Sequence, residues 1–250
     1  MKHNNSVIRI ITIFSILILI GMWKIASELY QSELILPSPE STIIATMELF
    51  ISPNFLRAIG ATIFRGITGF IISFVLGVSM GIFAGINRYF NAFLNPILVS
   101  IRSTPVISLI LLALIWFKVD YVAVFIAFLT MFPFICTNVI EGVKNVDDDL
   151  IEMAQVYQVD QSKIIKKVYL PAITPFIFSG ASSAMGFGWR AIIIGEVLSQ
   201  PQFGIGTFMQ TAQTYLMVKE VIAWTIIAVI ISYLFEVVIR KVERAIVIWR

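Results

Sequence analysis

Residues 67–86 read ITGFIISFVLGVSMGIFAGI, twenty consecutive positions without a charge. An apolar run of about 18 or more residues is long enough to cross the hydrocarbon of a bilayer as a helix. Its glycines follow a period: Gly77, Gly81 and Gly85 recur every fourth residue and so share one face. Small residues at that spacing let a second helix approach closely, either in fixed intramolecular packing or at an interface that moves beside a path. Gly180, Ala184 and Gly188 repeat the pattern in a later run.

Outward from this stretch lie five more runs, Ile8–Ala26, Ile97–Phe117, Val119–Ile140, Phe176–Leu198 and Val221–Ile239. Of the 250 residues, 58% are hydrophobic and 13% charged, the latter about half the share of soluble domains. An all-α membrane protein with about six transmembrane helices is expected. Lys2 and Arg9 precede the first run in the manner of a signal peptide. That run is as long as a span, however, and no small-x-small cleavage pattern follows it, so a retained helix is expected. This divides the chain into 1–34, an N-terminal helix with the start of a connector, and 35–250, the main transmembrane domain.

The basic balance reads as orientation and gives no sign of nucleic acid, because cytoplasmic loops collect Lys and Arg whatever a membrane protein does. With the N-terminus inside, the inner segments hold Lys2, Arg9, Arg88, Lys144, Lys163, Lys166, Lys167, Arg240, Lys241, Arg244 and Arg250. The outer ones hold Lys24, Arg57, Lys118 and Lys219. Eleven against four puts both termini in the cytoplasm of a multi-pass protein. Cys136, the single cysteine, lies within an apolar run and forms no disulfide within the chain.

Two segments outside the runs carry their own patterns. Ser38-Pro39 suits an N-cap followed by the first helical position, opening a helix on which Ile44, Met47 and Ile51 share a face. The second segment, 141–175, falls between spans four and five and is cytoplasmic in this orientation. Asp147 or Asp148 caps a helix holding Ile151, Ala154 and Tyr157, and acidic residues there complement the helix dipole. After a break near Val159-Asp160, a second helix gathers Ile164, Ile165, Val168 and Tyr169 on one side and ends at Pro171. Such a folded insert exceeds what reconnecting two spans requires.

That insert reads Glu152-Met153-Ala154, then Gln158, then Leu170-Pro171. It resembles the EAA loop of binding-protein-dependent ABC importer permeases, with Met153 in place of an alanine and Gln158 in place of the turn glycine. Arg65-Gly66-Ile67-Thr68-Gly69-Phe70 with Gly77 and Gly81, Arg102-Ser103-Thr104-Pro105 with Trp116-Phe117, Trp189-Arg190 with Gly195-Glu196, and Phe203-Gly204-Ile205-Gly206 resemble the nitrate/sulfonate/taurine-type members. The resemblance covers roughly 35–250. It implies a permease subunit of the bacterial cell (inner) membrane, surrounded by lipid and working as two copies, with a cytoplasmic ATPase dimer and an external solute-binding protein. It also implies that Glu152, Met153, Ala154, Tyr157, Gln158 and Asp160 contact the ATPase, and that the substrate is a small anion such as a sulfonate, taurine or nitrate, with the thiamine-precursor pyrimidines that some relatives import as the alternative.

The chain itself carries no Gly-x-x-x-x-Gly-Lys-Ser/Thr loop for ATP, so ATP and magnesium belong on a partner and no cofactor is expected here. His3 is the only histidine, no metal cluster is visible, and no nucleophile–base pair offers catalysis. Charges inside spans are costly unless they face protein, ligand or water. Arg65, Arg190 and Glu196, with Trp189 beside Arg190, are therefore the candidates for a substrate path or for ion pairs between helices. Arg190 and Glu196 stand six residues apart and do not stack on one face. A pair would need another helix, such as Arg65 with Glu196. Arg102 is expected to snorkel to the inner interface. A secondary transporter or channel without an ATPase would use the same spans and charges.

Overall fold

The computed structural model describes residues 5–246, all of whose regular structure is helical. Lys2, His3 and Arg250, counted above, lie outside them. In chain order the helices are α1 (Asn5–Tyr30), α2 (Pro39–Ile51), α3 (Phe55–Ile86), α4 (Arg88–Ser103), α5 (Val106–Trp116) and α6 (Val119–Lys144). There follow α7 (Asp148–Val156), α8 (Gln161–Ile164), α9 (Leu170–Ser199), α10 (Ile205–Thr214) and α11 (Val218–Ile246). Among the described residues five helices are long and apolar enough to cross a membrane, and a sixth crossing arises if the pair α4–α5 is one span.

That pair corrects the expectation of an unbroken run over Ile97–Phe117. The two helices meet at 99°. Pro105 has no N–H to continue the ladder, and its ring forces Thr104 out of the helical region, to φ −75°, ψ 129°. The chain restarts with the N–H groups of Ser108 and Leu109 bonded to the Pro105 carbonyl.

A second correction concerns Pro171, which does not end the insert's second helix. Residues Gln161–Ser199 run on as one rod. The turn Ile165–Tyr169 is widened to π geometry, with the Leu170 N–H bonded back to the Ile165 carbonyl five residues earlier. A wider turn gives the proline ring the room that a regular α turn denies it.

The chain divides into two compact units, Met1–Leu56 with Phe208–Ala228 and Arg57–Thr207 with Val229–Arg250. In the first, Ser38 caps α2 by accepting from the Ser41 N–H, and Pro39 takes the first helical position. Ile44, Met47 and Ile51 form an exposed apolar face on α2. Trp23 Nε1 donates to the Pro37 carbonyl at 3.0 Å, and Lys24 Nζ lies 3.0 Å from Glu40. Phe55 and Phe208 both stack on Trp224.

In the second unit α6 is the central helix, and small residues bring neighbours onto it. A Cβ at Gly77 would stand 2.9 Å from Ile135, and one at Gly81 would stand 2.7 Å from Val139; Gly85 abuts Val143. From α9, Gly180 meets Asn138, Gly188 meets Met131 and Gly195 meets Ala123. The fourth-residue stripes thus lie against α6 of the same chain, where dispersion at close range holds helices that no hydrophobic effect drives together in lipid. Ala184 is likewise fully buried on α9.

Candidate functional site

Three groups of polar residues stand out in the second unit. The first is enclosed. Arg65 of α3 and Glu196 of α9 are both buried, with Nη1 2.7 Å from Oε1. Thr62 Oγ1, one helical turn before Arg65, lies 2.9 Å from Glu196 Oε2 and accepts from the Ile205 N–H at 2.9 Å. The Gly206 N–H donates to the same carboxylate at 3.0 Å. Arg65 also reaches the Phe203 carbonyl at 2.7 Å and Asp120 Oδ1 at 3.2 Å. Gly204 and Gly206 are glycines because a Cβ at either would stand 2.7 Å from the Glu196 side chain. Arg65 donates to Glu196, Phe203 and Asp120, and both Glu196 oxygens accept from within the chain, which commits the pair to holding helices together.

The second group is open. Ser179, Ser183, Gly186 and Arg190 form an exposed stripe along α9, at spacings of three and four residues. With Glu236 and Arg240 of α11 they line adjoining clefts of about 290 and 410 Å³. Glu236 pairs with Arg240 at 2.6 Å. Arg190 has no carboxylate within ion-pair distance among the described residues. Trp189 points away from this cleft: it is buried against Phe235, ring centroids 5.4 Å apart. The four candidate residues are therefore split, with Arg65 and Glu196 in one network, Trp189 in the core and Arg190 in a cleft.

Arg102 lies exposed in the last turn of α4. It sits beside the α4–α5 elbow with its guanidinium carbon 5.8 Å from the centre of the Phe134 ring, beside Pro133 within α6. Sequence reasoning missed this contact because it depends on the bend. It also missed Thr62 and Asp120, although the spacing of Gly204 and Gly206 was a visible signal of close approach.

The insert forms the third group. Asp147 caps α7 and accepts from the Asp149 N–H. Ala154 is buried, while Glu152, Met153, Tyr157, Gln158 and Asp160 are exposed; Leu150, Met153, Val156 and Tyr157 leave α7 and its end an uncovered apolar face. Gln158 takes up the left-handed conformation itself, at φ 52°. The Val159 N–H bonds to the Ala154 carbonyl at 2.9 Å, closing the turn as a glycine would. Asp160 caps α8, and the Ser162 hydroxyl bonded to it holds its carboxyl below the usual range.

Helical spans gathered on a central helix, an exposed polar stripe in one of them and a folded insert outside define a polytopic membrane protein of the permease class. The sequence model of the family described as "Binding-protein-dependent transport system inner membrane component" matches residues 73–247, and the chain belongs to that family. It is 28% identical over 236 residues to the protein named as aliphatic sulfonates transport permease SsuC of Bacillus subtilis (strain 168), covering 93% of this chain and 85% of that one. Identity to the SsuC of Escherichia coli (strain K12) is 32% over 234 residues, covering 92% and 88%. A crystal form of the MetNI methionine ABC transporter in an inward-facing conformation holds a chain of the same fold. Its TM-score is 0.67 at 19% identity, over 80% of this chain and 97% of that one. The protein is a permease subunit, and membership of this family sets aside the reading as a secondary transporter or channel.

Proposed function

We propose that this permease passes a small organic anion of the sulfonate type into the bacterial cell as one half of an ATP-driven importer. Two copies of the chain form the path, an external binding protein delivers the solute, and a cytoplasmic ATPase dimer docks on 152–160. The observation that carries the reading is the polar stripe of Ser179, Ser183, Gly186 and Arg190, exposed on a helix long and apolar enough to span the bilayer. An arginine facing hydrocarbon is costly, so this stripe belongs against water, solute or a second copy. Its guanidinium offers the fork that suits sulfonate oxygens. The similarity to two permeases named for aliphatic sulfonates supports the same substrate class.

Both termini are cytoplasmic in this reading, supported by the excess of Lys and Arg on that side. Reconstitution in proteoliposomes with the ATPase and binding protein tests it. ATP-dependent accumulation of labelled taurine or pentanesulfonate is expected, and ATP hydrolysis with accumulation of neither overturns the substrate class. For orientation, Gln161→Cys in a Cys136→Ala background stays unlabelled by an impermeant thiol reagent until the membrane is opened.

A further inference from the structure

The elbow between α4 and α5 borders an open cavity of about 330 Å³ against the middle of α6 and α9. Its polar lining includes Arg102, Thr104 and Thr130, and its apolar wall is Leu109, Phe134 and Phe187. Phe134 and Phe187 lie face to face, centroids 4.7 Å apart and planes 7° from parallel. Arg102 stands over the Phe134 ring, and Phe187 lines the cleft that holds Arg190 as well. The stacked ring pair thus separates two arginines, one in each cavity.

Neither arginine has a carboxylate within ion-pair distance among the described residues. Arg102 also donates no hydrogen bond there; its described contact is the ring, which offsets charge but supplies no oxygen acceptor. At the depth of the apolar spans such an exposed arginine is costly unless it meets solute or water. The neighbouring wall is apolar and aromatic, where a bare inorganic oxyanion would leave most of the surface unused. A molecule with an anionic head and a hydrocarbon tail uses both halves.

Resting on the substrate reading above, we infer that the elbow cavity is a station for an organic monoanion. The head takes the Arg102 fork and an alkyl or aryl tail lies on the Phe134–Phe187 pair. Arg190 offers a second head position across Phe187. The tail, and not the charge alone, then separates the solutes this chain passes quickly from nitrate-like anions.

The test uses the complete transporter in proteoliposomes with saturating loaded binding protein, so that maximal rates report the membrane path and not capture. The probes are pentanesulfonate and methanesulfonate, which share a head and differ in tail. Arg102→Gln is expected to slow both at least tenfold, with Arg102→Lys intermediate because it keeps the charge and loses the fork. Phe134→Leu is expected to slow pentanesulfonate at least fivefold while methanesulfonate stays within twofold. A purely structural role of Phe134 would slow both alike, which overturns the tail seat. Wild-type rates in Arg102→Gln overturn the station while leaving the sulfonate reading intact. A wild-type transporter that carries neither probe overturns that reading and the station with it.

Discussion

Arg65 and Glu196 form an ion pair 2.7 Å long that ties α3 to α9, and the Glu196 side chain has no solvent exposure at all. Charges so deep are tolerated because each makes several hydrogen bonds as well as the ion pair, and removing one partner leaves the other uncompensated. Arg65→Met is therefore expected to destabilise the second unit by about 3–5 kcal/mol. Arg65→Met with Glu196→Gln together is expected to lose less than Arg65→Met alone, because the one carboxylate left without its partner, Asp120, is exposed to solvent. Yield after detergent extraction and thermal unfolding of the extracted protein check both. Equal damage in single and double variants would show that packing, not the charge, is what the pair supplies.

For the insert, the exposures separate two kinds of variant. Ala154 is buried within its own chain, whereas Met153 and Tyr157 are 53% and 78% exposed. Met153→Asp and Tyr157→Asp are expected to abolish copurification of the ATPase while the permease is extracted in normal yield. Ala154→Asp is expected to lower the yield itself, because it buries a charge beside α7. Glu152→Lys belongs with the first pair, and a reversed charge left unpaired at a docked surface costs about 2–5 kcal/mol. Normal copurification from all three exposed variants removes α7 from the docking surface.

Gln158 offers a test confined to one backbone angle. A non-glycine residue in the left-handed region is strained by roughly 1–2 kcal/mol. Gln158→Gly relieves this, less the greater freedom glycine has in the unfolded chain, for a gain of about 0.5–1 kcal/mol. Slower hydrogen exchange at the amides of Tyr157 and Val159 is the expected signature, and Gln158→Val is expected to speed exchange there.

The same residue marks how far the sequence could be read. The motif spacing located the turn, but only the backbone reveals that glutamine bears the strain and keeps the turn's usual form. The spans were legible because length and apolarity are local properties. The α4–α5 elbow was not, since Pro105 inside a run allows either a kink or a full break, and packing around it selects the break. Pro171 was read as a stop for the same reason; Pro171 and Pro175 instead sit within one rod, entered through a widened turn. Within the polar groups, the intramembrane charges were visible as types. Their partners were not, because Arg65 to Glu196 spans a sequence separation of 131 residues that only the fold closes.

Arg190 brings that distinction to a measurement. It lies six residues before Glu196 on α9, and the carboxylate's partner is Arg65, so no ion pair with Glu196 accounts for Arg190. It stands instead in a cleft with Ser182, Ser183, Gly186 and the Glu236–Arg240 pair, where Arg190 is the guanidinium that no carboxylate already holds. Arg190→Gln keeps a shorter, uncharged polar side chain at an exposed position and is expected to be extracted in wild-type yield, in contrast to Arg65→Met. Uptake by Arg190→Gln is expected to fall at least tenfold, a rise of about 1.4 kcal/mol or more in the transport barrier. Arg190→Lys retains charge without the bidentate fork and is expected between the two. Raising the salt concentration should weaken wild-type uptake more than that of Arg190→Gln, because the variant has less of the screened attraction to lose. Arg190→Gln carrying solute at the wild-type rate would remove Arg190 from the path and leave its exposure in a span without a functional account.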